Sequence, residues 1–123
     1  MSEFLETEDL QVLTDIGFIA VSNGLIDHAT AIFGAIRAMR PDGETAYLGE
    51  AMIDILTGKS EDAVAKLKSA PQTDAVQTFL GIALAQAQQV DAAKELLGEV
   101  CKTAADTPFA EVAKNTLDVM AEG

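Results

Sequence analysis

The sequence predicts an all-α protein built from about three stacked helix–turn–helix units and closed by a C-terminal helix. Two observations carry this prediction. Small residues recur at one interval, because Gly24 and Gly58 are 34 residues apart and so are Ala29 and Ala63. Apolar residues also follow a helical period from Leu10 onward, and the runs end where turn-forming residues occur.

The interval of 34 residues is the period of the tetratricopeptide repeat (TPR), a helix–turn–helix unit that stacks into a solenoid. Small residues at the recurring positions let neighbouring helix backbones approach closely. The third unit begins near Asp74, about 30 residues after the second, and has Gln88 where the other units have a turn glycine. Stacked helical units of this kind generally bind other chains through their exposed faces.

Stop and start signals divide the chain into seven predicted helices. Asn23-Gly24 ends the first, because glycine readily takes the left-handed conformation that closes a helix. Ser60 is expected to cap the fourth, and Thr107-Pro108 to open the seventh. The predicted helices cover approximately residues 8–22, 26–39, 44–57, 60–69, 74–88, 91–103 and 111–120. Residues 1–9 are assigned to an N-terminal segment and residues 10–123 to a single domain.

A solenoid needs a terminal helix with a polar outer face. The seventh helix meets this requirement, since Phe109, Val112 and Leu117 can turn inward against the third unit. Four polar residues are left for the outer face: Glu111, Lys114, Asn115 and Asp118.

Composition narrows the class of partner. The chain has 123 residues, is 49% hydrophobic and carries a net charge of −12. Such a surface repels phosphate backbones and anionic lipids, so neither nucleic-acid binding nor membrane insertion is expected. No stretch approaches the ~20 apolar residues that span a bilayer. With no basic leader and a single cysteine, the expected location is the cytoplasm.

Three features that could suggest chemistry have simpler interpretations. Gly58-Lys59-Ser60 resembles the end of a phosphate-binding loop, but Ile53 occupies the position of the required first glycine. His28 is the only histidine, and metal or catalytic sites need converging partners. Cys101 lies on an apolar helix stripe. We therefore expect no enzyme activity, no metal and no cofactor.

The residues that most clearly suggest a function are the apolar ones predicted to line the concave surface. In a TPR solenoid the first helix of each unit lines the concave surface, and here those positions carry apolar side chains at the centre of the surface. An exposed apolar groove marks a binding site, and an amphipathic helix is the matching ligand. Alternatively, the register is displaced by one residue, or the N-terminal segment fills the groove. The predicted groove residues are Phe18, Val21, Leu48, Met52, Ile55, Leu56, Ile82 and Ala85, with Gln11, Thr14, Ser22, Thr45, Ala75, Thr78 and Gln86 completing the lining.

The first repeat and the turn after it resemble a known family. The run Ile16-Gly17-Phe18-Ile19-Ala20 is followed by Gly24-Leu25, Ala29, Ile32-Phe33, the segment Ile36-Arg37-Ala38-Met39-Arg40-Pro41-Asp42, and Ala46-Tyr47-Leu48-Gly49. This pattern resembles the TPR-like proteins of bacterial type III secretion, most of all the Hrp-type secretion proteins, and is similar to needle-subunit chaperones of animal pathogens. The likeness covers roughly residues 10–100.

The resemblance implies a non-catalytic cytoplasmic chaperone with a role in virulence. Such a protein holds a secreted subunit monomeric by covering its amphipathic helix, in some cases together with a small co-chaperone. The residues leave a second class open, a homo-oligomeric scaffold or adaptor, for example a homodimer, that uses the same groove on its own copies.

Overall fold

The computed structural model describes residues 7–122, with side chains from Leu10 onward. Within that range all regular structure is helical, which confirms the prediction of an all-α fold. The bounds are α1 Thr7–Ser22, α2 Ile26–Met39, α3 Glu44–Leu56, α4 Ser60–Ser69, α5 Asp74–Gln86, α6 Val90–Thr103 and α7 Pro108–Glu122. Residues 1–6 of the expected N-terminal segment lie outside the described residues, and residues 7–9 begin α1.

The helix ends agree with the expected turn chemistry at all but one position. Thr107 precedes α7 and its hydroxyl accepts a hydrogen bond from the Ala110 N–H, as the Thr-Pro pair predicts. The expected cap of α4 is wrong, because Ser60 is the first helical residue. The residue before it, Lys59, makes no side-chain capping bond.

The turns inside the three hairpins share one backbone geometry. Each has a residue with positive φ, namely Gly24 (73°), Gly58 (80°) and Gln88 (65°). In the first, the Gly24 N–H donates to Val21 O at 3.0 Å and the Leu25 N–H donates to Ala20 O at 2.9 Å. These two bonds define the Schellman motif, and equivalent pairs close the other two hairpins. The third unit therefore keeps the turn although it lacks the glycine.

Within each hairpin a large residue of the second helix packs against a small residue of the first. Phe33, Leu67 and Leu97 are all fully buried at equivalent places. A β-carbon built on Gly81 would lie 2.4 Å from Leu97 Cδ2, and one built on Gly17 would lie 2.9 Å from Phe33 Cζ. Close approach of the helices thus requires Gly17 and Gly81, whereas Gly24 and Gly58, whose β-carbons would meet nothing within 4 Å, are required by their positive φ.

The helices form two layers. The first helices of the units, α1, α3 and α5, pack on one another in order, and α7 continues this inner layer by packing on α5. The second helices form the outer layer, each lying between the two inner helices that flank it in sequence. This repeated packing is consistent with a TPR-like solenoid.

Two ion pairs brace the outer side of α3. Arg37 of α2 donates to both carboxylate oxygens of Glu50, at 2.8 and 2.7 Å, and its guanidinium lies 4.4 Å from the centre of the Tyr47 ring. Hydrogen bonding to Glu50 raises the pKa of Arg37 above its ordinary value, against the opposing effect of desolvation. Lys66 of α4 reaches Asp54 at 2.7 Å.

The seventh helix closes the C-terminal end of the stack. Ala113 is buried, and Phe109, Leu117 and Met120 pack against the core formed by α6 and α7. The expected outer residues are exposed, but Val112 was wrongly expected to turn inward, since it is also exposed. Ala113 and Met120 take the inward places instead.

Candidate functional site

An open apolar depression of about 280 Å³ lies across the inner layer of helices. We call it the apolar groove. It is bounded by the C-terminal half of α5 and the C-terminal ends of α1 and α3. Its lining consists of Val21 and Ser22 from α1, Met52, Ile55 and Leu56 from α3, and Phe79 and Ile82 from α5. Five of the eight predicted groove residues are therefore brought together.

The most accessible apolar side chain of the lining is Leu56, which is 58% exposed at the end of α3. Met52, Ile55, Phe79 and Ile82 are half-buried around it. A leucine this exposed beside four half-buried apolar side chains is costly to leave in water. The groove can lower that cost by receiving an apolar side chain from outside.

Three predicted groove residues lie elsewhere. Leu48 is only 9% exposed and belongs to the core shared by α3, α4 and α5, so the structure corrects its assignment to the open surface. Phe18 packs beneath the groove, where its ring meets the Phe33 ring edge-on with centroids 4.9 Å apart. Ala85 is half-buried against the same core as Leu48. Phe18, Ala85 and the groove residue Ile55 all pack against the buried cluster that contains Leu48.

The groove face of α5 differs from the expected register. Thr78 is buried, and its hydroxyl donates to Asp74 O of its own helix at 2.7 Å. Phe79, which is not among the predicted groove residues, lines the groove in its place. The signal that could have found it is the spacing of Ala75, Phe79, Ile82 and Gln86, which share one helix face.

Polar groups at the margin of the groove are already satisfied. The Ser22 hydroxyl donates to Phe18 O of α1 at 2.9 Å. The side-chain amide of Gln86 donates to Ile55 O at 3.0 Å, which links α5 to the end of α3. None of the described side chains lining the groove is charged. The groove therefore offers apolar contact with few polar groups to orient a ligand.

A cavity of about 630 Å³ lies at the turn between α6 and α7 and includes Cys101, Asp106 and Thr107. The Cys101 thiol is half-buried and lies 3.8 Å from Ala110 O. The lining also includes the charged side chains of Glu111 and Lys114, but the hydrogen bond of the thiol goes to the Ala110 carbonyl. Across residues 10–122, no three His, Cys, Asp or Glu side chains are grouped as a metal site would require.

The segment that resembles a phosphate loop forms a hairpin turn. Gly58, Lys59 and Ser60 border a cleft together with Glu61 and Asp62. Two carboxylates beside a helix N-terminus oppose the binding of phosphate. His28 is exposed near the start of α2.

No family model, curated protein or solved structure matches the chain. None of the helices in the described range is both long enough and apolar enough to pass through a bilayer.

Proposed function

We propose that the protein is a non-catalytic binding protein whose apolar groove receives the apolar face of an amphipathic helix from another protein. The observation that carries the proposal is the exposed Leu56 among half-buried Met52, Ile55, Phe79 and Ile82, with no charged side chain in the described lining. Methionine and aliphatic side chains adapt to the shape of a partner, as helix-binding grooves require.

A small-molecule ligand fits the groove less well. Pockets for small ligands usually enclose roughly 300–1,000 Å³ and place a few polar groups to orient the ligand. The apolar groove is smaller, about 280 Å³, and open, and its hydroxyl at Ser22 is already bonded within α1. Side chains projecting from a helix laid along the surface suit a depression of this kind.

The finer proposal is a cytoplasmic chaperone of a type III secretion system, which would hold a secreted subunit monomeric by covering its amphipathic helix. What supports it is the resemblance of the first repeat together with the apolar character of the groove. Co-purification from the native host, followed by mass spectrometry, tests it. Recovery of a small secreted subunit would support the chaperone, whereas recovery of unrelated partners alone would refute that assignment.

The groove itself is tested with a neutral peptide of about 18 residues, five helical turns, that carries leucine on one face and glutamine on the other. Leu56→Gln should weaken binding of this peptide about tenfold, because a buried leucine contributes ~1.5–3 kcal/mol. Val119→Gln is the matched control, since Val119 is exposed on α7 outside the groove. Equal affinity for both variants would refute the groove as the binding site.

The same variants separate this proposal from a homo-oligomeric scaffold. Light scattering coupled to size-exclusion chromatography measures the mass of the free protein. A dimer that is stable on dilution, and that Leu56→Gln dissociates, would assign the groove to a second copy of the chain.

A further inference from the structure

A second apolar surface lies on α1, away from the groove. Val12, Ile16 and Ile19 are 57%, 48% and 59% exposed and follow one another at intervals of four and three residues. Residues with this spacing share one face of a helix. We call these three side chains the α1 stripe. It covers two turns of the helix.

The α1 stripe is separate from the groove. The buried side of α1 is marked by Ala20 and Val21, which are 5% and 2% exposed and face the rest of the first core. At 100° per residue the stripe lies roughly a third of a turn from that side. Val21 and Ser22 border the groove, and Ile19 is the stripe residue next to them, three residues before Ser22, so a ligand in the groove leaves Val12 and Ile16 uncovered.

The spacing indicates what kind of surface would cover the stripe. Alternating steps of four and three residues form the seam along which one helix packs against another. Three β-branched side chains on two turns give such a seam fixed rotamers and hence a defined shape. A second helix with its own apolar stripe is the complementary surface.

Charge selects between a second copy and a different partner. The α1–α2 hairpin contains Glu8, Asp9, Asp15 and Asp27 against one basic residue, Arg37, which is itself paired with Glu50. Asp15 is exposed on α1 and Asp27 on α2, close in sequence to the stripe and to the turn after it. A symmetric pair of copies would bring two such acidic hairpins together, in a chain whose net charge is already −12. Lysine or arginine beside the partner's apolar stripe would be attracted instead.

We propose that the α1 stripe is a second docking site, independent of the groove, and that its partner is a basic amphipathic helix. The apolar seam supplies the contact area, and the acidic hairpin around it selects a helix flanked by positive charge. The protein thereby holds two helical partners of different charge, one in the neutral groove and one on α1.

The test titrates the full chain with a labelled peptide of about 18 residues that places leucine on one helix face and lysine on the other. Binding is followed by fluorescence anisotropy at physiological salt, and a scrambled peptide of identical composition controls for charge alone. The double variant Ile16→Gln/Ile19→Gln should bind the peptide at least about tenfold more weakly. Val119→Gln, at an exposed position of α7 away from both surfaces, should bind it as the unchanged protein does. Circular dichroism checks that both variants are folded.

Four results would overturn the proposal. The scrambled peptide binds equally well, or the loss occurs in Leu56→Gln and not in the double variant. Sedimentation shows a dimer that the double variant dissociates, which assigns the stripe to a second copy. Finally, the unchanged protein does not bind the peptide, but the variant Phe4→Gln/Leu5→Gln does, which would mean that apolar residues near the start of the sequence occupy the stripe. Since the groove is tested with a neutral peptide and Leu56→Gln, failure of one site is distinguishable from failure of the other.

Discussion

Gly49→Ala is the substitution that most directly tests the close packing of the hairpins. Gly49 lies on α3, and a β-carbon there would be 2.2 Å from Phe33 Cδ1 and 2.3 Å from Cε1. Phe33 is fully buried, and its ring is held on another side by the Phe18 ring. Non-bonded carbons normally approach no closer than ~3.5 Å, so the ring would have to move by more than 1 Å.

Two effects of opposite sign determine how much Gly49→Ala changes the free energy of unfolding. Alanine in place of glycine favours the helix by roughly 0.5–1 kcal/mol. Overpacking a well-filled core costs roughly 1–3 kcal/mol, and here the obstruction is a rigid ring with three atoms in conflict. We expect Gly49→Ala to lower the free energy of unfolding by about 2 kcal/mol.

Gly34→Ala is the matched control. Gly34 is exposed on α2 next to Phe33, and its β-carbon would meet nothing within 4 Å. Only the higher helix propensity of alanine then acts, so the free energy of unfolding of this variant should rise by roughly 0.5–1 kcal/mol. Urea unfolding followed by circular dichroism measures both variants. Equal or higher stability of Gly49→Ala relative to the unchanged protein would refute the inference that Phe33 requires a glycine opposite it.

Two further predictions concern the turns and the ion pairs. Gln88→Gly should raise the free energy of unfolding by up to about 1 kcal/mol, because glycine adopts the positive φ of this turn without the steric cost that glutamine has. Gly58→Ala should lower the free energy of unfolding by about the same amount, since it introduces that cost. Changes of the same sign in the two variants would contradict the shared turn geometry. Lys66→Met should cost about 1–2 kcal/mol in the same measurement, because it leaves the Asp54 carboxylate, 10% exposed, without its partner. Lys68→Met, at an exposed position of the same helix, should change stability by less than about 0.5 kcal/mol; an equal loss in both would contradict the role of the ion pair.

The fold was predictable because its constraints are local and repeated. Positive φ at Gly24 and Gly58, and close approach at Gly17, each demand a residue without a side chain, so the demand is visible in the sequence. The third turn was not visible in the sequence, because Gln88 stands in place of the glycine. The Schellman hydrogen bonds are made by backbone groups, so they form with a non-glycine residue at some cost in stability.

The groove was less predictable because its residues are assigned by rotation about each helix. An error of one residue turns a side chain by 100°, enough to exchange Phe79 for Thr78. Leu48 shows the second difficulty: the sequence marks it as apolar on an inner helix, but whether it faces a partner or the core depends on how closely α4 and α5 approach α3. That distance is a tertiary property that periodicity does not contain.

The hydrogen bond from Gln86 to Ile55 joins the ends of α5 and α3 at the margin of the groove. The Gln86 side-chain amide donates this hydrogen bond to Ile55 O, and Gln86 is itself exposed. An exposed bond of this kind contributes only about 0.5–1.5 kcal/mol, whereas each hairpin is held by fully buried side chains. Loss of this bond would therefore free the margin of the groove locally, while the buried core shared by α3, α4 and α5 keeps the two units packed together.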